Sequence, residues 1–465
     1  MRVTSIGEFR TEPGTFLEWP VSLGAGTPSS IPPSFNQSFH LSSTLADSSD
    51  GEQVAAVWIA LAFDVDGSLD INALTWSFEQ FVGRHPALRT TFRAVDGDIG
   101  RRIHDTADVC VGQPTSITTT DPADLSSHVR ARLNHLCHPS QSPSYSFAAV
   151  DRPDRSTILC GFDHAHVDAV SMTVVAEELS TLYQARRSSE VVELDPAGSF
   201  VDYCAAEAET PVIATSDPRI RAWSEFVAGC GGSTPGFPFD LGVAPGENAL
   251  QATTIHTLTS GDQAAEFEHV CRDLGAGMFS AVTAAMAEAS SGIGGPQQLP
   301  LLFPLHTRRE SEYAHALGWF TTNAPMRVTV GNTFVDTLAS AHASFRAALP
   351  LGTVPIPRVL QALGPQFTRS RQDVFMISYI DYRVLPGAEA CDRNAHHISN
   401  VTTADDAQFW VSRTEDGLFL RARFPDTPEG HAVIERFVAR LASVIRACAE
   451  TTADSYELSL VGPSA

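Results

Sequence analysis

The chain has 465 residues, of which 43% are hydrophobic and 18% charged, with 26 Phe and a formal charge of −23. Its length exceeds what one ordinary core can organise, and its composition excludes a disordered or fibrous protein. The negative charge, with no Lys/Arg stripe to overcome it, argues against nucleic acid and anionic lipid as partners.

The opening MRVTSIGEFRTEPG lacks the basic and apolar regions of a targeting peptide. The longest apolar run, VAAVWIALAF, is too short to span a membrane, so a protein that is not transmembrane and is cytoplasmic is expected. That run begins the strand VAAVWIALAFDVDG (54–67), which a turn ends. In DINALTWSFEQFVGRH (70–85), Ile71, Leu74, Phe78, Phe81 and Val82 recur at helical spacing behind Asp70, a predicted N-cap. PALRTTF (86–92) then predicts a return strand, with the helix laid on a sheet.

RSTILCGF (155–162) predicts another strand, and SMTVVAEELSTLYQARRS (171–188) an amphipathic helix with Met172, Val175, Leu179 and Leu182 on one face. A polar span near 185–200 marks an interdomain connection, and GGSTPGFPFDLGVAPGEN (231–248) a loop too long to be only a turn. The rest of the chain repeats the pattern, with helices at GDQAAEFEHVCRDLG, MFSAVTAAMAEASSG and EGHAVIERFVARLASVIRACAE, and strands at LPLLFPL, PMRVTV, VFMISYIDYR and QFWVSRT to GLFLRARF. Two α/β halves are the simplest account. Eight scattered cysteines without a C-x-x-C pair fit reduced thiols rather than a disulfide framework or zinc site.

Between the strand at 155–162 and its helix lies GFDHAHVDAVS (161–171), at a junction where α/β folds commonly present chemistry. His164 and His166 with Asp163 and Asp168 are metal-ligand types, but no third His or Cys stands at a recognisable spacing and H-E-x-x-H is absent, so no metal is expected. Two readings remain. His164 is a general base kept at the strand mouth, or the segment is a polar turn in which Asp168 caps the next helix.

The stretch DHAHVDA resembles the H-H-x-x-x-D-G motif of the chloramphenicol-acetyltransferase-like superfamily, which includes nonribosomal-peptide condensation domains and polyketide-associated (Pap) acyltransferases. Asp163 stands for the first histidine, His164 for the catalytic second one, Asp168 for the structural aspartate and Ala169 for the glycine, with His166 at a variable position. RHPALRTTF (84–92), SFVDYCAAEAE (from Ser199), LGWFTTNAPMRV (317–328) and VFMISYIDYRVLPG (374–387) resemble further family motifs in the family's order. FRTEPGTFLEWPVS and DPRIRAWSEFVAG to GFPFDLG look closest to the Pap group.

The resemblance implies an α/β (α+β) fold of two chloramphenicol-acetyltransferase-like half-domains in a V-shaped pseudo-dimer, with His164 midway along a central tunnel. The halves are expected at 1–190, carrying the DHxxxDA motif, and 191–465, with a crossover strand near 374–387. It implies an acyltransferase that moves an acyl group from acyl-CoA or a phosphopantetheine carrier-protein thioester to an alcohol, on a sugar or on a polyketide or lipid hydroxyl. His164 would be the general base or would position the acceptor. No bound cofactor is implied, and a monomer suffices.

Asp168 is expected to pair with Arg308 or Arg309, and Asp163 with an arginine or as a subgroup variant. Asn323 and Arg327 belong to the family motif, and Arg89 would stabilise the first half. Ala169 would resent a positive φ, so the backbone there is expected to depart from the family geometry. The literal pair His396 and His397 lacks the aspartate and reads as loop or strand decoration. Alternatives are a free-standing condensation enzyme, joining a donor on an acyl or peptidyl carrier protein to an amine or alcohol, and a non-catalytic docking protein.

Overall fold

A computed structural model describes residues 1–45 and 57–450. Positions 54–56 of the first predicted strand lie outside the described residues, and the rest of that strand is Trp58–Asp66. The chain forms two compact units. One comprises Met1–Pro211 with His306–Thr321 and Val384–Val401; the other comprises Val212–Leu305, Thr322–Arg383 and Thr402–Ala465. Each is built on a seven-stranded sheet with helices, an α/β architecture. No helix among the described residues is long and apolar enough to cross a membrane.

In the first unit the strand order is Arg2–Ser5, His396–Ser399, Trp58–Asp66, Arg155–Asp163, Tyr145–Asp151, Gly14–Trp19 and Thr115–Thr119. Arg155–Asp163 is central and buried along all but its first residue, which accounts for the apolar run that announces it. Asp70 caps the helix Ile71–Arg84 by accepting from the Ala73 amide, and Leu74, Phe78, Phe81 and Val82 are buried. Each buried Phe represents about 3–5 kcal/mol against truncation to Ala. The predicted return strand forms as Thr90–Val95 but joins a separate three-stranded sheet with Asp98–Ile103 and Thr27–Ser29. The helix Ala169–Ser188 buries Met172, Val175, Leu179 and Leu182.

The second sheet runs Thr321–Thr329, Gln298–His306, Met376–Asp381, Gln408–Thr414, Gly417–Pro425, Ala249–Ser260 and Thr403–Ala404. The loop 231–248 contributes to this unit's core, since Phe237 packs against Phe375, Phe409 and Phe437. The segment expected to carry the crossover strand, 374–387, forms Met376–Asp381 and stays in this sheet. The late strand that enters the first sheet is His396–Ser399, antiparallel to Trp58–Asp66 and parallel to Arg2–Ser5. Only Ile398 of that strand anchors in the apolar core, so two adjacent histidines hid it from pattern reading.

Candidate active site

The strand Arg155–Asp163 stops one residue before His164, and this break decides the fate of the two histidines. A continuing strand would present both on one face; instead the chain turns, and the His166 amide bonds back to the Asp163 carbonyl at 3.0 Å. His166 is buried. Its Nδ1 donates to the Ala87 carbonyl at 2.9 Å, and its Nε2 meets Ser144 Oγ at 2.8 Å. Burial lowers its pKa, so it is a neutral, fully engaged core histidine.

His164 is held differently. Its amide is tied to the Val57 carbonyl at 3.0 Å, and its Nδ1 lies 2.9 Å from the Val167 carbonyl. A carbonyl only accepts, so Nδ1 carries the proton and Nε2 keeps its lone pair. No hydrogen-bond partner meets Nε2 among the described residues, and the side chain is partly exposed. The Trp319 ring stacks on the imidazole with centroids 3.7 Å apart and planes 19° apart. Desolvation first, then the nearby His40, lower the His164 pKa to about 4, so the ring is neutral at pH 7.

Asp163 pairs with a histidine rather than an arginine. Its fully buried carboxylate faces His40 Nε2 at 2.8 and 3.1 Å and accepts from the Ala165 amide at 2.9 Å. His40 sits on the helix Phe35–Leu45, one turn after Gln37, whose Nε2 donates to the Ala165 carbonyl at 2.7 Å. Arg101 in turn donates to Gln37 Oε1 at 2.9 Å. One helix thus holds the residues on either side of His164.

Asp168 ends the turn, and both of its carboxylate oxygens are engaged within the fold. It caps Ala169–Ser188 in a capping box with Ser171, and Oδ1 accepts from the Ser171 amide at 2.8 Å. Arg308 Nη2 donates to Oδ1 at 2.8 Å, and the Phe320 amide donates to Oδ2 at 3.1 Å. The Asp168 and Arg308 side chains are 7% and 5% exposed, and Arg308 also lies 4.3 Å from the Phe320 ring centroid. Arg309 is exposed. Ala169 occupies the first helical position and is not among the residues with positive φ. At that position the backbone sets no strain against the alanine side chain.

Other singled-out residues fall elsewhere. Arg89 donates to the His104 carbonyl at 2.7 Å within the first unit. Asn323 and Arg327 lie on Thr321–Thr329 of the second unit; Asn323 Oδ1 is buried without a partner among the described residues, and Arg327 sits 5.8 Å from the Phe226 ring. His396 Nδ1 donates to the Asn394 carbonyl at 2.9 Å within its strand. Among the described residues no three His, Cys, Asp or Glu side chains are grouped to hold a metal.

What the turn offers is one neutral imidazole with a single uncommitted nitrogen, on a turn whose other polar side chains are engaged. Such a nitrogen can accept a proton from a group brought beside it. The condensation-domain family model matches residues 51–453, and the chain belongs to that family.

Within the family it is similar to acyltransferase PapA3 of Mycobacterium tuberculosis, 28% identical with 97% of each chain covered. It is likewise similar to trehalose-2-sulfate acyltransferase PapA2 of that organism, 26% identical over 97% of this chain and 98% of the relative. A solved structure of PapA2 acyl transferase superposes with a TM-score of 0.88 at 24% identity, covering 97% of this chain and all of the other. The protein is an acyltransferase of the Pap and condensation kind.

Proposed function

We propose that this acyltransferase forms an ester, moving an acyl group from a CoA or carrier-protein thioester to a hydroxyl, with His164 as the base. The observation that carries the reading is the free, unprotonated Nε2 of His164, fixed by its Nδ1–H bond to Val167 and stacked under Trp319. One relative is named a trehalose-2-sulfate acyltransferase, which makes a sugar hydroxyl the acceptor to test first.

The acceptor O–H gives its proton to Nε2 as its oxygen attacks the thioester carbonyl carbon. The C–O bond forms, the tetrahedral intermediate collapses with loss of the C–S bond, and the departing thiolate takes the proton back from Nε2. Ester and thiol leave, and the imidazole is neutral again. While it is protonated, the imidazolium is steadied by its Nδ1–H bond to the Val167 carbonyl and by the indole face beneath it. Its low pKa keeps the base in the accepting form at neutral pH and returns the proton readily.

Thiol release from a panel of acyl-CoA and acyl-pantetheine donors, with sugar and amine acceptors, tests the reading. Release that requires both a hydroxyl acceptor and His164 supports it. A His164→Ala variant as fast as wild type with acceptor present sinks it. The match to the condensation-domain family favours one second reading, a free-standing condensation enzyme; turnover only with a phosphopantetheinylated carrier protein and an amine acceptor would select that one.

A further inference from the structure

Arg421 lies within the second unit's sheet, on the strand Gly417–Pro425. Alternation along that strand sends Leu418, Leu420, Ala422 and Phe424 into the core and Arg421 and Arg423 to the other face. Those two arginines meet different surroundings. Arg423 is engaged by Asp373 Oδ1 at 2.7 Å, Gln251 Oε1 at 2.9 Å and Gln408 Oε1 at 3.1 Å. Arg421 is only 6% exposed, and its Nε is sealed from solvent without a partner. No carboxylate or hydrogen-bond acceptor meets its guanidinium among the described residues.

Its neighbour is Trp410, directly opposite on Gln408–Thr414, with the guanidinium carbon 4.5 Å from the ring centroid. Burial, then repulsion from Arg423, lowers the Arg421 pKa to about 9. A guanidinium taken from water with no anion beside it is strongly disfavoured, and stacking on an indole recovers only part of that loss. An anion brought by a ligand would remove the deficit.

The register supplies the rest of the place. Ser378 stands opposite Trp410 on the next strand, and Ser412 follows Trp410 by two residues, so both hydroxyls share the face of Arg421. Both serines are buried, and neither hydroxyl has a partner among the described residues. On the other side Ile255, opposite Arg421, is 40% exposed, so the row opens toward solvent.

We propose that Arg421, backed by Trp410 and joined by the hydroxyls of Ser378 and Ser412, binds the phosphate or sulfate monoester group of a substrate. A tetrahedral oxyanion matches a planar two-donor fork flanked by hydroxyls. Assignment to a substrate rests on the acyl-transfer reading; binding of the oxyanion itself does not.

The first probe is inorganic sulfate, titrated calorimetrically at constant ionic strength into the full chain as wild type, Arg421→Met and Arg421→Lys. One saturable sulfate is expected, weakened about ten- to a hundredfold in Arg421→Met and less in Arg421→Lys. No saturable binding by wild type, or equal affinity in Arg421→Met, overturns the proposal. Should Arg421→Met fail to fold, the wild-type and Arg421→Lys titrations decide by the same criteria.

Competition then names the source. Displacement of sulfate by CoA but not by 3′-dephospho-CoA assigns the group to the donor. Displacement by a sugar sulfate ester but not by its desulfo parent assigns it to the acceptor, and displacement by neither overturns the assignment to a substrate. None of these titrations needs turnover, so loss of the acyl-transfer reading through His164→Ala would be seen separately.

Discussion

The turn at 163–168 in the first unit and the sheet face around Arg421 in the second treat buried polar groups in opposite ways. At the turn, Asp163, His166 and Asp168 are each matched with partners, and one nitrogen, His164 Nε2, is left open. On the sheet face, Arg423 is matched and the guanidinium of Arg421 meets no acceptor among the described residues. A buried polar group with partners holds the fold; one without them carries a free-energy deficit that a ligand can relieve. Function is therefore sought at the two open groups, and the matched ones are expected to show themselves in stability.

The sharpest way to break that division is at His164. His164→Ala should lower kcat/KM for thiol release by about 10²–10⁴-fold, with an unfolding midpoint close to wild type, measured by steady-state assay and thermal melt. A matched group should do the reverse. Asp168→Ala leaves Arg308 buried and unpaired, and should cost about 3–5 kcal/mol in denaturant unfolding, with Asp168→Asn milder. If Asp168→Ala unfolded like wild type, the claim that the pair holds the turn would fail.

The pH dependence tests the boundary between the two kinds of group. As the proposed base His164 would act when neutral, so kcat/KM should stay level as pH drops below 6.5 and fall only through about pH 4. The same depressed pKa means that the unfolded chain takes up a proton first, so this residue's share of stability is lost between pH 6.5 and about 4. In His40→Gln the neighbour that lowers the pKa is gone while Asp163, which raises it, remains. The acid limb should therefore move to higher pH. An acid limb that does not move would make His40 a purely structural partner.

Smaller effects complete the series. Trp319→Leu removes the stack on His164 and should cost about 0.5–1.5 kcal/mol, a few-fold to tenfold fall in kcat with KM little changed. His396→Ala, within a strand and bonded to its own chain, should leave kcat unchanged and stability within about 1 kcal/mol. A large loss of kcat in that variant would show that the literal His-His pair had been misjudged.

Much of this was legible beforehand, and the gaps have a common cause. The apolar run ending in Asp163, the helix face of Met172, Val175, Leu179 and Leu182, and the capping position of Asp168 all follow from local periodicity and capping chemistry. Arg308 entered through resemblance to a family, as did the choice of His164 over a plain polar turn. His40 and Gln37 went unnoticed because buried polar residues on a helix look, in sequence, like an ordinary solvated face. Trp319 stood inside a recognised motif, yet no spacing rule ties residue 319 to residue 164.

The sequence by itself therefore determined the two-unit α/β character, most of the strands and helices, and the junction where His164 sits, because these follow from interactions within a few residues. Tertiary structure decided which imidazole is spent and which is free, that Asp163 answers to His40, that His396–Ser399 rather than the segment 374–387 joins the first sheet, and that Arg421 has no counter-ion among the described residues. Each of these depends on partners brought together from distant positions in the chain, and on how much water remains between them.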